Sequence, residues 1–111
     1  MNPVLRETEQ LNNVIRNSAE YRNYVQTKEQ LYANPELART LAEFRRKNYD
    51  YQNIQGYNPY DEIHGLTREY DEFLHNSTVS NFLRAEMTIC KLMQRVFECL
   101  AQGLEFDYND E

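Results

Sequence analysis

Few side chains in this sequence could do chemistry, and their spacing keeps them apart. The two cysteines, Cys90 and Cys99, stand nine residues from each other. On one helix that is about 900° of rotation and ~13 Å of rise, so they point to opposite sides. They can neither bond to each other nor share a metal ion within that helix, and they read as two small buried apolar residues. His64 and His75 share a helix face but lie roughly 16 Å apart, so no single ion takes both. They read as surface or rim histidines. The three glycines are isolated, which excludes a glycine-rich phosphate loop. Ser18, Ser77 and Ser80 sit in helix-capping contexts and not in a nucleophile elbow. Asp61-Glu62 and Asp71-Glu72 diverge at helical positions and read as solvated faces. No nucleophile, base and ligand set shares a face, so the expectation is a protein that is not an enzyme, with no bound metal and no cofactor.

Glu86 is the acid that does not fit its surroundings. On a helical wheel it falls inside an apolar stripe, between Phe82 and Val79 on one side and Met93 on the other. An unpaired carboxylate there is costly. A partner on another helix is expected, with Arg39, Arg45 and Arg22 as candidates. Arg45-Arg46-Lys47, followed by Tyr49 and Tyr51, has the basic and aromatic mix that can stack on and neutralise RNA. Phe44, Asn48 and Tyr51 take the core side of their helix, which spreads the basic run over the outer face. The same segment therefore also reads as structural, or as a docking surface for a protein.

A chain without a catalytic set must act by contact, and Tyr and Arg are enriched at binding hot spots. The expected docking residues are Arg46, Lys47, Tyr49, Tyr57 and Tyr60, beside the Gly56-Tyr57-Asn58-Pro59 connection.

Five helices are needed to position these residues. The first, over about 3–16, carries Val4, Leu11 and Ile15, with Leu5 and Val14 beside them. Ser18 caps a second, with Tyr21, Tyr24, Val25, Lys28, Leu31 and Tyr32 on one face. Asn34-Pro35-Glu36 is a cap, a proline and an acid in the order that restarts a helix. The third helix then runs from Pro35 to about Ile54. A break at 56–58 leads to a fourth helix carrying Tyr60, Ile63, Leu66, Tyr70, Phe73 and Leu74. Asn76-Ser77-Thr78 caps the fifth, which runs to Leu104 and is ~40 Å long.

That last helix looks too long for its domain, since a compact chain of this length has a radius of gyration of only ~13 Å. Its apolar arc of about 200° is also wider than the ~100° that a surface helix buries. Part of the arc is therefore expected to meet another chain, through Phe82, Ile89, Met93, Val96, Phe97 and Leu100. The fold class is all-α: an antiparallel helical bundle with a long C-terminal helix, forming oligomers. Residues 3–104 make one domain and 105–111 an acidic, frayed tail.

Composition agrees. The 111 residues leave room for one domain. Three Gly and three Pro are too few for the turns of an all-β domain. The net charge of -6 argues against direct contact with nucleic acid or an anionic membrane. No apolar run approaches the ~18 residues of a membrane span, the first ten residues lack a signal-peptide layout, and two reduced thiols suit the cytoplasm.

The stretch SAEYRNYVQTKEQLYANPELARTLAEFRRKNYDYQ resembles the YlbF/YmcA family of bacterial regulators. It has that family's Ser-x-x-Tyr start, Asn/Asp-Pro-Glu turn, and long helix with a Phe. The block NSTVSNFLRAEMTICKLMQRVFECL is similar to the family's Val-x-x-(Tyr/Phe)-Leu-x-Ala-Glu opening, in which Glu86 is the Glu. The resemblance covers about residues 8–104. It implies a cytoplasmic, all-helical, non-enzymatic accessory factor that self-associates or joins relatives. It also implies effects on competence, sporulation and biofilm formation, in part through a complex that assists messenger-RNA cleavage by a membrane-attached ribonuclease. Some members help hold an iron–sulfur cluster through cysteines near their C-termini. This sequence departs there, having only Cys90 and Cys99 and no cysteine in its tail.

Overall fold

The computed structural model describes residues 2–52 and 68–105, with backbone alone for 51 and 52. Among the described residues there are five helices and no strand: α1 (Pro3–Arg16), α2 (Ala19–Tyr32), α3 (Pro35–Gln52), α4 (Asp71–Leu74) and α5 (Ser77–Ala101). The fold is all-α.

Capping chemistry sets most of the boundaries. Asn2 opens α1, its Oδ1 accepting from the Val4 amide at 2.7 Å. The Ser18 hydroxyl donates to the Ile15 carbonyl at the end of α1 (2.6 Å) and accepts from the Tyr21 amide in α2 (3.1 Å). One oxygen thus joins two helix ends, each of which leaves backbone groups without partners. Asn34 Oδ1 accepts from the amides of Glu36 and Leu37 at 3.1 and 3.2 Å. Asn76 Oδ1 does the same for Thr78 and Val79 at 3.0 and 3.2 Å.

The fifth helix stops three residues before its expected end. Gln102 is extended (φ -60, ψ 129), Gly103 has φ 82, and the Leu104 amide donates to the Ala101 carbonyl at 3.1 Å. This is a type II turn, whose third position needs the positive φ that glycine adopts without strain.

The expected break at 56–58 and most of the fourth helix lie outside the described residues. Where that helix was to run through Tyr70 to Leu74, the chain makes a turn at Tyr70 (φ -107, ψ 20) and restarts as one helical turn. Tyr70 is buried there, its ring edge-on to Phe44 with centroids 5.2 Å apart. Phe73 joins the same aromatic group.

The core sits where α2 crosses the first half of α5. Leu31, Leu41, Val79 and Phe82 are essentially inaccessible, with Tyr24, Leu37, Phe73 and Leu83 packed around them. The rings of Tyr24 and Phe82 meet tilted, with centroids 5.7 Å apart. Thr27 and Ala85 are small enough to be buried where the two helices pass. Nothing on α1 is buried. The radius of gyration is 18.3 Å and the extents are 50 × 37 × 18 Å, far from the ~13 Å of a compact chain. At ~1.5 Å per residue α2 is about 21 Å long and α5 about 37 Å, so α2 covers only part of α5.

Candidate functional site

Cover along α5 is uneven. Early in α5, Val79, Phe82, Ala85 and Ile89 are buried against the chain's own helices. Phe82 and Ile89, expected at an oligomer interface, are therefore part of the protomer's core. Sequence spacing identified the stripe correctly and could not tell which stretch of it α2 would cover. Further along, Met93 and Val96 are half-buried. Phe97 and Leu100 are 58% and 55% exposed.

On the first helix Val4, Leu5 and Val14 are exposed, with Leu5 and Val14 on opposite sides and Val4 turned toward the end of α5. Pro3, Val4, Glu7, Thr8, Leu11 and Leu100 enclose a groove of about 480 Å³, so α1 and the end of α5 line one apolar depression. The expected interface residues all lie on α5 and include none from α1. Its signal was the Val4, Leu11, Ile15 stripe, which no helix of the described chain buries.

Glu86 has the partner that was sought. Its Oε1 lies 2.6 Å from Arg45 Nη2. The two side chains are 30% and 45% accessible, so this is a rim pair and not a buried one. The Arg45 guanidinium also lies 5.8 Å from the Phe82 ring centroid, over its face. One arginine thus neutralises the acid and covers the core phenylalanine.

Lys47, expected to supply charge to a docking surface, pairs with Glu69 at 2.6 Å and lies 5.2 Å from the Tyr70 ring centroid. Hydrogen bonding to the Glu69 carboxylate, and next to Tyr70, holds its pKa well above the ordinary 10.5. Arg45 and Lys47 are thus both paired with acids of the chain itself. Arg46 and Tyr49 are exposed on α3. Tyr57 and Tyr60 lie outside the described residues.

The cysteines are a correction. Cys90 and Cys99, expected to be buried, are both free thiols on exposed positions. Their spacing fixed the angle between them and not the direction of either. Among the described residues no three His, Cys, Asp or Glu side chains gather as a metal-binding group. His75 Nδ1 lies 2.8 Å from the Asp71 carbonyl oxygen and 3.3 Å from its carboxylate, at the end of α4; His64 lies outside the described residues. No helix among those described is long and apolar enough to cross a membrane.

The Ser18-capped start of α2, the capped Asn-Pro-Glu restart and the Val79-to-Glu86 stretch in the first half of α5 carry the pattern on which the resemblance rests. The family model for control of competence regulator ComK, YlbF/YmcA, matches residues 4–105. The chain belongs to the YlbF/YmcA family. No curated protein and no solved structure matches it. The match spans all five described helices, including α1 with its exposed face. The family's description names control of the competence regulator ComK.

Proposed function

We propose that this YlbF/YmcA chain is a non-enzymatic regulatory adaptor in the cytoplasm, acting by protein contact in the control of competence. Its first contact is a second copy of itself or a related family chain. The observation that carries this reading is the apolar groove between α1 and the end of α5, where Pro3, Val4, Leu11 and Leu100 come together and Val4, Leu100 and the neighbouring Phe97 are each more than half exposed. Contiguous apolar patches of this kind on a lone chain mark interaction sites.

Charge favours self-pairing there. Although the chain carries -6 overall, α1 has Arg6 and Arg16 against Glu7 and Glu9, so two copies meet no net like charge on this helix. The assembled form then offers Arg46 and Tyr49 to other regulatory proteins, among them the machinery for messenger-RNA cleavage that the family resemblance implies.

Removing the chain from its own cell tests the regulatory half. The ComK level should change, and Leu100→Asp should fail to restore it while remaining folded. An unchanged ComK level in the deletion strain would count against regulation and leave a purely structural oligomer.

A further inference from the structure

A second surface lies along the line where α2 packs on α5, beside the apolar face. Asn23, Gln26, Thr27 and Gln30 of α2 face Asn81, Arg84, Ala85 and Thr88 of α5 across a groove of about 330 Å³. Thr27 and Ala85 are buried and form its floor. No acidic and no aromatic residue lines it. The hydroxyls are already engaged: Thr27 Oγ1 donates to the Asn23 and Tyr24 carbonyls, and Thr88 Oγ1 to the Arg84 carbonyl. The four carboxamide side chains, Asn23, Gln26, Gln30 and Asn81, make no hydrogen bond within the described residues.

The cationic wall extends along α5. Arg84, Lys91 and Arg95 fall within about 40° of one another at ~100° per residue, and none has a carboxylate within salt-bridge reach among the described residues. Arg84 donates only to Ser80 Oγ, at 3.0 Å. The strip ends at Glu98. In a chain of net charge -6, three cations and four carboxamides that have no partner among the described residues form a distinct chemical surface.

We infer that this α2–α5 groove binds an extended acidic peptide segment of a partner protein. Each residue of an extended segment presents one N–H and one C=O, and a carboxamide can donate to one and accept from the other. Asn23 to Gln30 spans seven residues of helix, ~10.5 Å, the length of about three extended residues. The carboxamides hold that backbone whatever its side chains. Arg84, Lys91 and Arg95 select carboxylates by charge-assisted hydrogen bonds. A nucleic acid is the poorer occupant, because the groove has no ring on which a base could stack. This site is separate from the self-pairing face and does not depend on it.

The test is fluorescence anisotropy of the full chain with a labelled, end-blocked octapeptide of alternating Glu and Ala, at about 50 mM salt where the Debye length exceeds ~10 Å. Binding should weaken about tenfold or more in Arg84→Glu/Lys91→Glu, as expected when like charges are opposed. It should weaken severalfold in Gln26→Ala/Asn81→Ala, which leaves the charge untouched. Both variants change exposed residues and should keep the wild-type melting temperature. An octapeptide of alternating Lys and Ala should not bind. Three results would overturn the inference: no binding of the acidic peptide at about 1 mM, an affinity unaffected by the carboxamide variant, or tighter binding of a single-stranded RNA of equal charge.

Discussion

Breaking the Arg45–Glu86 pair should reveal two separable effects of one arginine. The contact is short, 2.6 Å, but both side chains keep solvent access, 45% and 30%. Solvent screening therefore limits the ion pair to about 0.5–1 kcal/mol. The guanidinium over the Phe82 ring, at 5.8 Å, adds about 0.5–1 kcal/mol, and its methylene stem shields the core edge. Glu86→Ala should cost about 0.5–1 kcal/mol and Arg45→Ala about 1–2 kcal/mol. The coupling from the double-mutant cycle should be about 0.5–1 kcal/mol, because only the ion pair involves both residues.

Urea denaturation followed by helical circular dichroism measures all four proteins, at one protomer concentration since self-association would shift the midpoints. Thermal scans should agree at about 4 °C per kcal/mol for a chain of this length. Equal losses in the two single variants would show that Arg45 does not cover Phe82. A coupling near zero would show that the two charges do not meet in solution.

Two contrasts extend the reasoning. Phe82 is 1% exposed and Phe97 58%, so Phe82→Ala should lower stability by about 3–5 kcal/mol, while Phe97→Ala in dilute, dissociated protein should cost under ~0.5 kcal/mol; equal losses in urea titrations would contradict the division of α5 into covered and uncovered halves. Lys47 has its folded pKa raised above 10.5, so its stabilising contribution is complete below that value and is lost only as pH rises through the folded pKa. The difference in urea midpoint between wild type and Lys47→Met should therefore be the same at pH 7 and pH 9, and a difference that shrinks by pH 9 would argue against the Glu69 contact.

Local chemistry made much of this fold legible. Ser18, Asn34 and Asn76 cap the helices they were expected to cap, because a cap needs only a side-chain oxygen two or three residues before an amide. The Glu86 partner was foreseen because a carboxylate in an apolar stripe demands one. Features that depend on the relative lengths and placement of helices were not legible. The spacing of Phe82, Ile89, Met93, Val96, Phe97 and Leu100 places them on one stripe, but only the shorter α2 decides that Phe82 is core and Leu100 is surface. Lys47 meets Glu69 across 22 residues of chain, a pairing that no local pattern announces. The turn at Tyr70 follows from the burial of its ring against Phe44, a tertiary contact that overrides the helical stripe.

The central claim is that the apolar face of α1 and the end of α5 pairs with a second copy. Size-exclusion chromatography with light scattering, on wild type and Leu100→Asp at about 50 μM, tests it most directly. Leu100 is 55% exposed in the protomer, so an aspartate there should leave the fold intact and remove only the contact. The prediction is a wild-type mass that is a multiple of 13.4 kDa, and a Leu100→Asp protein of single-chain mass with undiminished helical circular dichroism. A wild-type protein that elutes as one chain at that concentration, or a Leu100→Asp variant that stays assembled, would contradict the account.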